Sequence, residues 1–289
     1  MDISVIIPVY NGEKTIEKLF EGINENLKPV GSFEVLFVYD CGSDNSWEIL
    51  KRFQKKYPQK IRIFKLNKNY GQHNATLFGI SEAAGDLIIT MDDDLQHDPD
   101  YLPHLIKEQK TLNSNVIYGK FIDSKHSFFR KIASRILLRL LKVLIPGLGY
   151  YSSFRLLKKE VAQKITLLKS SYTFIDARLR TVTSDFGFLE IDHRENTDRK
   201  STYNFFKLAF HAIQIILEYS RIIIWLFVIS FSLILIAFIL RFFLVAWHGM
   251  QTGIFISGMI LLFAGISGEL LYRWKVKTNS LPVIAVERY

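Results

Sequence analysis

Apolar and polar positions along the first two hundred residues separate short buried strands from amphipathic helices. Continuous or alternating apolar runs predict strands at about 3–9, 33–39, 61–66, 86–92 and 116–121, with a later strand at 186–192. Apolar residues at helical spacing between these runs predict helices at about 13–27, 45–57, 73–84 and 99–111. Strands that alternate with helices are typical of an α/β fold with a mostly parallel, doubly wound sheet.

Residues 128–145 carry a different pattern. Basic residues recur there at helical spacing, and Ile132, Ile136 and Leu140 fill another face. This pattern predicts a basic amphipathic helix, which would lie at a membrane interface or pack on the core as an ordinary surface helix. A second helical stretch at 203–220 is a further candidate for the interface.

Two later stretches are almost free of charge. Residues 222–247 carry only Arg241, and residues 252–272 carry only Glu269. Each stretch is long enough to cross a bilayer core, so we expect a transmembrane hairpin; a very apolar soluble helical pair is the alternative. We therefore divide the chain into an α/β domain (1–200), a juxtamembrane helix (201–221), the hairpin (222–272) and a tail (273–289).

Charge placement predicts the orientation of this hairpin. Basic residues precede the first stretch and follow the second, whereas the connecting loop at 248–251 has neither lysine nor arginine. The bias of basic residues toward the cytoplasm therefore places the α/β domain and the tail in the cytoplasm. Glycines in the hairpin, such as Gly258 and Gly265, would support helix packing between protomers and hence a homo-oligomer.

The net charge of +9 bears on the kind of partner. No nucleic-acid recognition motif accompanies it, and the basic residues cluster beside the apolar stretches. Anionic membrane lipids and phosphate-bearing substrates are therefore the expected partners, not nucleic acid. The lone Cys41 excludes an internal disulfide and fits a reducing compartment.

An acidic cluster, Asp92-Asp93-Asp94-Leu95-Gln96, directly follows the apolar run at 87–91. In α/β sheets, ligands bind at the carboxyl ends of the strands. Asp92 and Asp94 are two residues apart, so in an extended chain they share one side and Asp93 points away. Two carboxylates with the amide oxygen of Gln96 suit Mg²⁺ or Mn²⁺. A solvated acidic turn is the alternative.

Three further polar loops are expected at the same edge, because they follow the first three strands. They comprise residues 8–13, 40–46 and 69–75. Asp40 ends its strand and is placed to accept hydrogen bonds from a base or ribose. Asp44 or Asn45 is placed to cap the next helix.

The segments PVYNGE (8–13), the acids Asp40 and Asp44, NYGQHNA (69–75), Gly85-Asp86 and DDDLQH (92–97) together resemble family 2 glycosyltransferases of the GT-A fold. Their fold contains a Rossmann-like nucleotide-binding sheet. The resemblance covers about residues 3–220 and is strongest to the branch of dolichol-phosphate mannose synthases and bacterial polyprenyl-phosphate glycosyltransferases. It implies inverting, metal-dependent transfer of a sugar from a UDP- or GDP-linked donor to an undecaprenyl or dolichyl phosphate.

The resemblance also implies roles for individual residues. The cation that bridges the donor diphosphate would be held by Asp92, Asp94 and Gln96, with Asp94 catalytic. The donor nucleotide sugar would be bound by Pro8, Tyr10, Glu13, Asp40, Asp92, Asp93, Arg199 and Lys200. The acceptor phosphate would be engaged by Lys120, Arg130 and Ser134, of which Lys120 and Arg130 are also catalytic candidates and Lys120 matches by type only. A solvated basic surface is the alternative for Lys120 and Arg130.

The chain departs from the family pattern at three positions. Ser153 precedes the Phe-Arg-Leu segment where relatives often carry an aspartate, Arg199 stands where a glycine is usual, and Tyr39 replaces an aspartate common before Asp40. A lipid phosphate is already partly ionised and acts as its own oxygen nucleophile, so the enzyme needs no strong general base. A serine at position 153, which is not a base, is compatible with this chemistry. Two alternatives stay open: a glycosyltransferase that acts on another glycolipid or a polysaccharide, and a membrane-anchored binding protein without turnover.

Overall fold

The computed structural model describes residues 1–122, 150–168, 173–192, 229–236, 239, 257–268 and 286–288. The strands are β1 (Ile3–Val9), β2 (Phe33–Tyr39), β3 (Ile61–Leu66), β4 (Leu87–Thr90), β5 (Val116–Phe121), β6 (Arg155–Lys158), β7 (Phe186–Ile191) and β8 (Val286–Arg288). The helices are α1 (Ile16–Leu27), α2 (Ser46–Lys56), α3 (Gln72–Glu82), α4 (Leu102–Leu112), α5 (Lys159–Leu167) and α6 (Ile175–Val182), with a 3₁₀ turn at Pro99–Tyr101. Residues 229–236 and 257–268 are also helical.

The strands form one sheet in the order β7-β5-β6-β4-β1-β2-β3-β8. Strands β4, β1, β2 and β3 pair in parallel, and so do β5 and β7. Strand β6 runs antiparallel between β4 and β5, and β8 pairs antiparallel with the edge strand β3. The expected α/β fold with a mostly parallel sheet is therefore confirmed.

Both faces of the sheet are covered, because its central strands are apolar on both sides. Every residue of β1 and β2 is buried. Helices α1, α2 and α4 pack on one face with Val5 and Ile7, whereas α3, α5 and α6 pack on the other face with Ile6. Burial on both faces explains why these strands read as continuous apolar runs and not as alternating ones.

The observed elements agree with the sequence pattern through β5 and again at β7. The prediction did not include β6, α5, α6 or β8. Strand β6 is four residues long and begins with a charged residue, Arg155, so it lacks the apolar run that marks the other strands. The helices predicted at 128–145 and 203–220 lie outside the described residues.

Most of the two nearly uncharged stretches, 222–247 and 252–272, also lies outside the described residues. Where they are described, Gly258 lies against Ile234, and a Cβ placed on Gly258 would come within 2.8 Å of Cγ1 of Ile234. Among the helices that the structure describes, none is long and apolar enough to cross a membrane.

Candidate active site

A cleft of about 320 Å³ opens at the carboxyl ends of the central strands. The chain passes from β1 to β2 and β3 on one side and then returns to β4 on the other, so the strand order reverses between β1 and β4. This reversal is the place where open α/β sheets bind ligands. The cleft is lined by Pro8, Val9, Tyr10, Asp40, Asn69, Gly71, Gln72, Asp92, Asp93 and Asp94. The polar loops after the first four strands thus meet in one cleft.

Asp92 is held through both of its carboxylate oxygens. Oδ1 accepts a hydrogen bond from Nε2 of Gln72 at the start of α3. Oδ2 accepts one from the hydroxyl of Ser153 at 2.7 Å. Burial and the charge on Asp94 raise the pKa of Asp92 to about 7, and the bond from Ser153 opposes that rise. Asp92 is therefore held in one orientation, and its negative charge is unfavourable in this buried position unless a cation compensates it.

The other two acids of the cluster make different contacts. Oδ1 of Asp94 accepts from the backbone nitrogen of Gln96 at 3.1 Å, which closes a tight turn. Oδ2 of Asp93 accepts from the backbone nitrogen of Tyr10 at 3.2 Å. A Cβ placed on Gly12 would lie 2.5 Å from that same oxygen, so a larger residue there would displace the Asp93 carboxylate. Asp93 thus ties the loop after β1 to the acidic cluster.

Asp40 is bound by the loop that follows β3. Its Oδ1 accepts from the backbone nitrogen of Tyr70 at 2.7 Å, and its Oδ2 accepts from that of Gly71 at 2.8 Å. Burial raises the pKa of Asp40 to about 6, against the lowering effect of these two bonds. Gly71 has a φ of +86°, which a side chain would strain. Asp40 therefore holds the turn that delivers Gln72 to Asp92.

Glu13, a predicted donor ligand, does not line the cleft. Its backbone nitrogen donates to Oδ2 of Asp44 at 2.9 Å, and its Oε2 accepts from the backbone nitrogen of Asn45 at 3.1 Å. Asp44 also accepts from the backbone nitrogen of Ser46, which begins α2. These contacts bond the backbone nitrogens of Asn45 and Ser46 at the start of α2 and fix the loop after β1 against it.

The oxygen donors of the cleft fit a divalent cation. Asp92 and Asp94 lie close enough for the charge of one to raise the pKa of the other. Within the described ranges, no group of three His, Cys, Asp or Glu residues could hold a metal ion. A cation bound by Asp92 and Asp94 would take its remaining ligands from amide oxygen, water or phosphate. That mode of binding is typical of Mg²⁺ with a nucleotide.

Comparison with known proteins assigns the family. The sequence model of glycosyl transferase family 2 matches residues 4–166. The chain belongs to this family. The resemblance inferred from the motifs is therefore confirmed.

The names of similar proteins in the family specify the reactions of those proteins. An undecaprenyl-phosphate 4-deoxy-4-formamido-L-arabinose transferase from Photorhabdus laumondii is 32% identical over 209 residues, which cover 71% of this chain and 64% of that protein. A dolichol-phosphate mannosyltransferase from Pyrococcus furiosus is 31% identical over 175 residues, which cover 58% of this chain and 49% of that protein. The chain thus spans slightly less than two thirds of the first relative.

A solved structure supports the fold. Glucosyl-3-phosphoglycerate synthase from Mycobacterium tuberculosis, in complex with Mn²⁺, UDP-glucose and phosphoglyceric acid, superposes with a TM-score of 0.56. The match covers 75% of this chain and 77% of that chain at 16% identity. At this identity the similarity shows the Rossmann-like fold alone.

The basic residues expected in this family 2 chain are only partly described. Lys120 is exposed near the end of β5, and its Nζ lies 3.9 Å from Oε1 of Glu190 on the neighbouring strand β7. It is separate from the residues that line the cleft. Arg130, Ser134, Arg199 and Lys200 lie outside the described residues.

Sequence reasoning assigned no role to two residues that contact Asp92. Gln72 lies in the NYGQHNA segment, but the motif predicts no separate role for it. The sequence marks Ser153 only as a departure from the family pattern, where an aspartate is common. It reaches Asp92 because β6 pairs antiparallel with β4, in the register Thr90 to Arg155. The contact between Ser153 and Asp92 could not be predicted, because the sequence pattern did not predict β6.

Proposed function

We propose that this chain transfers a sugar from a nucleotide-sugar donor to a polyprenyl phosphate, with inversion, at the cytoplasmic face of a membrane. The observation that carries the proposal is the meeting of Asp92 and Asp94 with the loops after β1, β2 and β3 in one cleft. The names of the two relatives, which specify undecaprenyl phosphate and dolichol phosphate, support a polyprenyl phosphate as the acceptor.

The donor would lie in this cleft. Mg²⁺ or Mn²⁺, held by Asp92, Asp94 and Gln96, would neutralise the charge that the nucleoside diphosphate gains as it leaves. Pro8 and the half-exposed Tyr10 would line the nucleotide pocket. Asp40 would shape the opposite wall through the turn at 69–72. We further propose that Arg199 and Lys200 close over the diphosphate.

The acceptor would supply its own nucleophile. A phosphate monoester is largely ionised near neutral pH, so the enzyme needs to orient it and screen its charge but not to deprotonate it. Lys120, Arg130 and Ser134 are proposed to do this, since arginine contacts a phosphate in bidentate geometry. Ser153 fits this chemistry because a serine is not a general base, and its hydroxyl donates a hydrogen bond to Asp92. Direct attack on the face opposite the leaving diphosphate inverts the anomeric centre.

A membrane location is part of the same proposal. A polyprenyl acceptor is anchored in the bilayer, so the cleft must lie close to it. The nearly uncharged stretches 222–247 and 252–272 would form the anchor, and the basic segment 128–145 would lie on the anionic surface. We propose that the catalytic domain faces the cytoplasm and that protomers associate through the hairpin.

The test is a donor screen. Membranes that contain the protein are incubated with Mg²⁺ or Mn²⁺, undecaprenyl phosphate and a panel of labelled UDP- and GDP-sugars. We expect one donor to give label that is extractable into organic solvent and that depends on added undecaprenyl phosphate. Label in another glycolipid or a polysaccharide would identify a different acceptor. If no donor gives product while the protein still binds nucleotide, the chain is a binding protein without turnover.

A further inference from the structure

Two side chains from distant parts of the chain fix the carboxylate of Asp92. Gln72 donates to Oδ1, and Ser153 donates to Oδ2 at 2.7 Å. Gln72 is the first residue of α3 and Ser153 lies just before β6, so the carboxylate is held from two different elements. Each carboxylate oxygen has two acceptor positions, and one on each oxygen is left for a further partner. Asp92 is thus oriented while it keeps the capacity to bind a cation.

Ser153 is itself anchored by a buried network. The hydroxyl of Thr90 donates to the carbonyl oxygen of Ser153 at 2.6 Å and accepts from Nε of Arg155 at 3.0 Å. The guanidinium of Arg155 also bonds Asp176. Thr90, Arg155 and Asp176 are each no more than 2% exposed. The position of the Ser153 backbone is therefore set by the core of the sheet and not by a mobile loop.

We propose that Ser153, together with Gln72, is a positioning residue that fixes Asp92 for a divalent cation. The inference rests on the proposed function, in which Asp92 is a cation ligand. Side chains that bond to ligating carboxylates orient them, and loss of such a partner lowers metal affinity by about 10- to 100-fold. An aspartate at position 153 would instead place a like charge against Asp92. Ser153 is uncharged and donates to the carboxylate of Asp92, so it supports this side chain without adding a like charge.

The test measures Mn²⁺ binding directly, without turnover. The detergent-solubilised full chain with UDP is titrated with Mn²⁺, and the free ion is followed by electron paramagnetic resonance. Ser153→Ala should weaken Mn²⁺ binding about tenfold or more. Ser153→Thr, which keeps the hydroxyl, should restore the wild-type affinity. Ser152→Ala is the matched control, because the Ser152 hydroxyl accepts from the backbone nitrogen of Phe154 and, within the described part of the chain, makes no hydrogen bond to Asp92.

The outcomes separate this inference from the proposed function. If the wild-type protein binds no Mn²⁺, the cation assignment fails. If the wild type binds Mn²⁺ and Ser153→Ala binds it equally well, the positioning role of Ser153 is overturned. Should Ser153→Ala fail to fold, Gln72→Met removes the other donor and should weaken Mn²⁺ binding about tenfold. Unchanged affinity in that variant would also overturn the inference.

Discussion

Replacing Asp176 with alanine should be among the most destabilising changes in the chain. Asp176 and Arg155 are each 2% exposed, and their side chains form a buried ion pair. Oδ1 of Asp176 also accepts from the hydroxyl of Tyr118 at 2.8 Å. The alanine leaves a buried guanidinium without its counter-charge, and removal of one partner of a buried pair costs about 3–5 kcal/mol. The Tyr118 hydroxyl loses its acceptor as well.

Thermal unfolding of the detergent-solubilised protein measures this loss. One kcal/mol corresponds to roughly 2–4 °C in domains of this size, so we expect the midpoint to fall by roughly 6–20 °C. Asp86→Ala is the matched control. Its carboxylate lies 3.4 Å from Nζ of Lys159, but the two side chains are 75% and 40% exposed. An exposed pair contributes about 0–1 kcal/mol, so the control should unfold close to the wild type.

A double variant distinguishes the ion pair from simple loss of packing. Arg155→Met combined with Asp176→Ala removes both charges, so it should be more stable than Asp176→Ala alone. The role of the buried ion pair is refuted if Asp176→Ala lowers the unfolding midpoint no more than Asp86→Ala does. It is also refuted if the effects of the two single substitutions simply add.

Three further predictions concern the cleft and its surroundings. Burial raises the pKa of Asp40 to about 6, so the folded state holds that proton more tightly than the unfolded state. Stability should therefore fall by about 3 kcal/mol as pH rises from about 3, below the unfolded pKa, to about 7, above the folded pKa, and urea unfolding of Asp40→Asn should lack that part of the decline. Gly12→Ala places a Cβ 2.5 Å from Oδ2 of Asp93. It should therefore lower the free energy of unfolding by about 1–3 kcal/mol and raise the KM for the donor. An unchanged denaturation midpoint would contradict this prediction. Among the described residues, Lys120 makes an exposed pair with Glu190. Lys120→Met should therefore raise the KM for the acceptor phosphate and change stability by less than about 0.5 kcal/mol. A changed donor KM would count against the assignment.

The sequence was most informative where local pattern alone decides structure. Strands β1 and β2 are uninterrupted apolar runs between polar turns, so their bounds could be predicted to the residue. Because the strands alternate with helices, parallel pairing follows, and their carboxyl ends must share an edge. The alternation of strands and helices is therefore sufficient to predict that Asp40 and Asp92 meet in one cleft.

The sequence was least informative where a partner lies far along the chain. Arg155 is buried because of Asp176, and the charge of an isolated arginine argues against a buried strand. Ser153 meets Asp92 across 61 positions of sequence. Asp40 was expected to bond a ligand, yet its oxygens accept from the backbone of the loop after β3. Such contacts depend on tertiary pairing, which local periodicity does not encode.

The account depends on Asp92 and Asp94 binding a cation that assists departure of a nucleoside diphosphate. The most direct measurement compares wild-type protein with Asp94→Asn, in the donor screen, using the sugar nucleotide that labels undecaprenyl phosphate. Wild-type transfer should stop on addition of EDTA and return with excess Mg²⁺ or Mn²⁺, and Asp94→Asn should give no organic-extractable label at unchanged thermal stability. Full activity of Asp94→Asn, or wild-type activity that persists in EDTA, would contradict the account.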